Sequence, residues 1–196
     1  MGVIMSKLKT IAFFLLLVFL CSSSLPLWGK VNLKTGDSFP DIEFKKPKDS
    51  EDRKYLGLRG WGGFAIGDIQ AEVVIIELFS MYCSHCQNEA PLTRKLYEII
   101  EADRRLKGRF KIMGIGINNS DFEVDFFRNK YEIPFPLVSD GEDMVQKTIG
   151  KVLTPHYVVV RITGDGKTRV IFSESGRLED PMVFLDMIYK LAIPKE

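Results

Sequence analysis

Val73-Val74-Ile75-Ile76 heads an almost unbroken apolar run that ends at Phe79. The run lacks the alternation of a strand with one wet face, so it predicts a strand covered on both sides within Ala71 to Phe79. Phe110 to Ile117 has the same character. Between the two runs, Leu92, Leu96, Ile99 and Ile100 recur at helical spacing and form a core-facing stripe. A helix is expected from the Cys83–Cys86 pair to about Leu106, kinked at Pro91 and ended by Gly108. Buried strand, helix and buried strand in that order commit the chain to a sheet with helices packed on it.

The remaining segments fill in the same class. Asp121 to Tyr131 and Asp143 to Ile149 read as short helices, and Asp180 to Leu191 as an amphipathic C-terminal helix. Tyr157 to Ile162 and Arg169 to Phe172 flank Gly164-Asp165-Gly166, a hairpin signal. Val31 to Phe44 reads as an opening segment with a short strand at Asp41 to Phe44. Lys45 to Lys54 is charged and contains proline, which predicts a surface loop. Gly57, Gly60, Gly62, Gly63 and Gly67 predict a loop or an irregular hairpin. The expected fold class is α/β, a mixed central sheet with helices on both faces.

Lys7 and Lys9 precede an uncharged apolar run, Ile11 to Leu20, followed by Cys21-Ser22-Ser23-Ser24. A basic start, a short apolar core and small residues form a secretory signal pattern. The run is shorter than the roughly 20 apolar residues of a spanning helix. Residues 1–29 are therefore expected to be a signal peptide or an N-terminal anchor, and residues 30–196 a single domain. Cys21 follows the apolar core as in a lipoprotein, but Leu20 stands where a lipobox has a small residue. The expected location is outside the cytoplasm, periplasmic or attached to the outer face of the cytoplasmic membrane. Without residues 1–29 the chain has 25 basic and 26 acidic residues, a net charge of −1. That balance excludes the strongly basic face of a nucleic-acid binder.

Cys83 and Cys86 are then the only cysteines of the domain. One close pair in an exported protein is no disulfide framework, and it points to chemistry. Cys83 is expected as the exposed thiol at the helix start, where thiolate is stabilised, and Cys86 as the more buried one a turn later. His85 lies between them and favours the thiolate if its ring is aimed at Cys83. A structural zinc site needs about four ligands, and no second Cys or His pair exists. Glu77, an acid inside an apolar strand, suits a buried carboxyl of raised pKa that takes the proton from Cys86. Thr154-Pro155-His156 precedes a strand, and an X-Pro bond there can be cis.

With these residues in register the chain resembles the thioredoxin superfamily: Cys83-Ser84-His85-Cys86 after a strand, Glu77 six residues earlier, Pro91 five residues after Cys86, and Thr154-Pro155 before a late strand. The resemblance implies a thioredoxin-like fold over roughly residues 31–192. It also implies Cys83, Cys86 and Glu77 as catalytic residues, and Thr154, a cis Pro155, His85 and Tyr82 as substrate contacts. Gly36-Asp37-Ser38-Phe39-Pro40-Asp41 and the stretch from Tyr131 to Asp140 resemble the TlpA/ResA branch. Glu77-Leu78-Phe79-Ser80 and His85 are similar to the oxidising DsbA type, and Tyr82 replaces the usual tryptophan.

The function implied is disulfide exchange with exported proteins that carry thiols or disulfides, served by a membrane or soluble redox partner. The reducing direction of cytochrome c maturation is preferred, with a DsbA-like disulfide donor as the alternative. No cofactor and no resident metal are expected. A Cu(I) metallochaperone is a further alternative, because the only two histidines, His85 and His156, fall in segments expected to meet at the cysteines.

Overall fold

β3 (Val73–Phe79) and β4 (Phe110–Ile117) lie side by side and parallel, and every residue of both is buried. The computed structural model describes residues 33–193. The expected signal or anchor at residues 1–29 lies outside the described residues. β5 (Leu137–Asp140) continues the sheet beyond β4 in parallel. β6 (His156–Ile162) runs antiparallel to β3 on its other side, and β7 (Thr168–Ser175) runs antiparallel to β6. The order is β5-β4-β3-β6-β7, so the two most apolar strands sit inside the sheet.

Strand alternation sends successive β3 side chains to opposite faces. Val73, Ile75 and Phe79 join a core with Phe110, Ile112, Tyr157 and Val159. Three helices cover it: α2 (Ser84–Ala102), α3 (Asp121–Tyr131) and α5 (Pro181–Ala192). Val74, Ile76 and Leu78 join Met113, Ile115, Val158 and Val160 on the other face. That face is covered by Leu33, Phe39, Ile42 and Phe44 of the opening segment, by α1 (Ser50–Leu56) and by α4 (Met144–Ile149). Each fully buried Leu, Ile or Phe contributes about 1.5–3 kcal/mol, so both layers are needed to hold the sheet.

Helix ends follow local chemistry. Ser120 and Glu123 form a capping box at the start of α3. Asp180 accepts from the Met182 and Val183 N–H groups at the start of α5, with Pro181 in the first turn. α2 runs on through Pro91 and ends at Ala102, earlier than expected, where Asp103 leaves the helical region.

Three expectations are corrected. The charged stretch Lys45 to Lys54, read as a loop, runs into α1 from Ser50 onward. Asp49 caps it by accepting from the Glu51 N–H at 2.8 Å, and Gly57 ends it at φ 72°. Its acids, Glu51 and Asp52, lie in the first turn and its bases, Arg53 and Lys54, in the last, which suits the helix dipole. The first strand is Phe44–Lys45, later than Asp41 to Phe44, and it pairs with β2 (Gly63–Phe64). β5 was not anticipated.

The glycine-rich stretch is braced by Lys46, whose ammonium donates to the carbonyls of Arg59, Gly60 and Trp61 at 2.7, 3.1 and 3.4 Å. At Gly67 a Cβ would lie 2.4 Å from the Gly166 carbonyl oxygen, in the β6–β7 hairpin.

Candidate active site

β3 ends at Phe79, and the chain turns through Ser80, Met81 and Tyr82 onto the start of α2. Asn119, just beyond β4, holds that turn: its Oδ1 accepts from the Met81 N–H at 2.8 Å. Gln87 Nε2 donates to the Met81 carbonyl at 2.8 Å. Cys83 is the N-cap residue of α2, and its sulfur accepts from the Cys86 N–H at 3.4 Å. The partial positive charge of a helix start therefore falls on this sulfur.

The Cys83 thiol donates to the Thr154 carbonyl at 3.2 Å. Thr154 arrives there because Leu78 pairs with His156, which sets the preceding corner beside the residues after β3. The Thr154–Pro155 peptide bond is cis. Cys83 is half-buried and Cys86 fully buried, and both are free thiols. Burial opposes ionisation of Cys83. Hydrogen bonds from the Thr154 and Cys86 side chains and from the Cys86 and His85 backbone outweigh it and hold the thiol below its usual value. Burial pushes Cys86 well above the usual thiol value. The two sulfurs are thus unequal, one poised as nucleophile and one kept as thiol.

Glu77 is 3% exposed and faces the cysteine side of the sheet between Ile75 and Phe79. Its Oε1 has no hydrogen-bond partner. Burial, then the charges of Glu89 and Cys83, push this carboxyl up to about 8. Sequence reasoning missed Glu89. It lies on α2 one turn beyond Cys86 and is fully buried. It accepts from the Tyr157 hydroxyl at 3.0 Å, from Arg177 Nε at 3.1 Å and from the Leu178 N–H. Its signal was helical spacing, since residues 83, 86 and 89 or 90 share one face.

Tyr82 is exposed, and its hydroxyl donates to Glu123, the acid of the α3 capping box. The His85 side chain is exposed and has no hydrogen-bond partner among the described residues, so the histidine serves Cys83 through its backbone N–H. His156 does not meet the cysteines. As the first residue of β6 it points to the face opposite Tyr157, where its ring nitrogens bond Ser175 Oγ at 2.8 Å and Ser173 Oγ at 3.0 Å. Burial lowers it to about 4. Both ring nitrogens are engaged, so the two-histidine copper site anticipated from the sequence is not assembled.

A family model described as AhpC/TSA matches residues 35–179. A thiol-disulfide oxidoreductase ResA from Oceanobacillus iheyensis is 24% identical over 127 residues, 64% of this chain and 59% of that protein. A ResA from Geobacillus thermodenitrificans is 24% identical over 121 residues, 62% of this chain and 66% of that protein. The chain thus matches less than two thirds of the length of these curated relatives. The thioredoxin domain of a thiol-disulfide oxidoreductase from Bacteroides vulgatus superposes with a TM-score of 0.58 at 18% identity, over 80% of this chain and 98% of that one. A thiol:disulfide interchange protein from a Bacteroides species gives 0.59 at 18% identity, over 85% and 95%. At such identities the structural likeness is one of fold.

Proposed function

Because the chain belongs to the AhpC/TSA family of the thioredoxin superfamily, we propose that it is a thiol-disulfide oxidoreductase acting outside the cytoplasm, as a reductase of the cytochrome c maturation type. The observation that carries this reading is the Cys83 sulfur at the start of α2, facing the Thr154 carbonyl with Cys86 buried beside it.

In the proposed reaction the Cys83 thiolate attacks one sulfur of a partner disulfide. The partner's S–S bond breaks, its second sulfur leaves as thiolate and takes a proton, and a mixed disulfide forms. The charge on Cys83 is then gone. That charge is one of the influences that keep the proton on Glu77. The Glu77 carboxylate becomes available as Cys86 has to be deprotonated. The Cys86 thiolate then attacks the Cys83 sulfur, the bond to the partner breaks, and the partner's first-attacked sulfur leaves as thiolate and takes a proton. Two electrons have passed to the partner, and a membrane or soluble redox partner restores the dithiol.

Thr154, Pro155, Tyr82 and His85 are assigned to substrate contact. The ResA relatives support disulfide exchange as the activity. Residues 1–29 are assigned to export or anchoring on their sequence pattern. No described helix is long and apolar enough to cross a membrane.

The test is Cys86→Ala in the exported protein. Cys83 is expected to accumulate mixed disulfides with specific exported partners, and the wild-type pair to show a potential nearer about −270 mV than about −120 mV. No adducts, together with Cys83 alkylated no faster than a free cysteine at neutral pH, would overturn the reading.

A further inference from the structure

Two buried carboxyls lie behind the cysteines, and their surroundings differ. Every group recorded at Glu89 is a donor: the Tyr157 hydroxyl, the Leu178 N–H and the Arg177 guanidinium. The Leu178 N–H and the guanidinium cannot accept a carboxyl proton, and the guanidinium is a cation. Glu77 has no cation beside it, and one of its oxygens is unpartnered. We propose that Arg177 is a positioning residue that decides which of the two carboxyls carries the proton used at Cys86: by holding Glu89 ionised, it leaves that proton to Glu77.

The placement of Arg177 favours this. It lies in the loop between β7 and α5, half-exposed, with Nε on Glu89 and NH2 3.5 Å from the Asn88 carbonyl. The charge is thus delivered from the surface onto a fully buried oxygen. The groups that face Glu77 are Cys83, Cys86 and Glu89 from α2, and Tyr157 from β6. β4 places Gly114 opposite it. α5 presents Phe184, Leu185 and Ile188 to this core, with Tyr189 stacked on Phe110. Tyr97 of α2 and Tyr131 of α3 also border the core, packed on Phe135 and Phe127. Arg177 is therefore the one cation bonded into this cluster among the described residues.

Two like charges in one apolar site are not both tolerated, so the carboxyl without a cation keeps its proton. Mechanistically, Glu89 is a fixed charge and Glu77 the group that exchanges. The use of the proton rests on the oxidoreductase reading, but its location does not.

Infrared titration of the carboxylic-acid C=O band in the reduced, full-length protein separates the two. The band is expected to titrate with a midpoint near 8, to vanish in Glu77→Gln and to persist in Glu89→Gln. Arg177→Met keeps the apolar stem without the charge. It is expected to put a proton on Glu89, seen as a new band absent from the double variant with Glu89→Gln, and to lower the Glu77 midpoint by about one pH unit. Arg177→Lys is expected to restore the wild-type titration. A band lost in Glu89→Gln instead of Glu77→Gln overturns the assignment. So does an Arg177→Met protein that is folded by circular dichroism and titrates like wild type. Failure of the trapping experiment would leave these bands in place, so the two readings fail separately.

Discussion

Asp52, Asp140 and His156 are buried polar side chains that do not meet the sulfurs, and each has a set of partners. Asp52 accepts two bonds from the Arg128 guanidinium. Asp140 accepts from the Met144 and Val145 N–H groups at 2.8 and 3.1 Å and starts α4. His156 is bonded at both ring nitrogens. Beside the cysteines the pattern reverses. Among the described residues, the buried side-chain atoms without a partner are Glu77 Oε1 and Asn119 Nδ2. Glu77 lies under the sulfur pair, and Asn119 holds the turn that leads to Cys83. An unpartnered buried polar atom costs about 1–3 kcal/mol. The chain avoids that cost at these three side chains and accepts it beside the sulfurs, where the proposed reaction takes place.

The sharpest way to break this contrast is Glu77→Gln. Resolution of a mixed disulfide preformed on Cys83 should slow about 100-fold or more, read by partner-thiol release at pH 7. The same change should alter stability in the opposite sense. With the folded carboxyl at about 8 and its ordinary value at 4.5, the native state holds a proton between those limits that the unfolded chain has lost. Stability is full below the lower limit and falls as pH rises through the upper one. Urea unfolding between pH 5 and pH 8 should show that slope in wild type and a flatter one in the variant.

Asp52→Ala tests the other side. Its carboxylate is 7% exposed and its partner guanidinium 26%. Breaking such a pair by removing one member should cost about 3 kcal/mol in urea, with the Cys83 alkylation rate unchanged. A changed rate would show that structural and reactive polar groups are not separable here. Asp140→Ala is the mildest case: the loss of two bonds to the first turn of α4 should cost about 1 kcal/mol, again with Cys83 unaffected.

β3 and β4 were legible in the sequence as unbroken apolar runs, and α2, α3 and α5 by apolar residues at helical spacing. α1 was not, because Ser-Glu-Asp-Arg-Lys-Tyr-Leu buries only Asp52 and Leu56, and its strongest signals are the caps Asp49 and Gly57. β5 is four residues long and ends on Ser139-Asp140, too short to show alternation. The reactive pair, Glu77 and the Thr154–Pro155 corner could be located from spacing along the chain. Glu89 and Arg177 could not be paired that way, since they are 88 positions apart and meet only when the loop after β7 folds over α2. His156 was misjudged for a related reason. Closeness to Pro155 in sequence says nothing about which side of β6 its ring takes, and one step of pleat put it on the far face.

The contact between Gly67 and the Gly166 carbonyl gives β6 the character of a lever. The hairpin at one end of that strand rests directly on a backbone that has no room for a methyl group. The other end carries the corner whose carbonyl meets the nucleophilic sulfur. Bulk added at position 67 would press on the short arm. The long arm would pass that displacement to Thr154, so a residue with no chemistry of its own can detune the reaction from across the molecule.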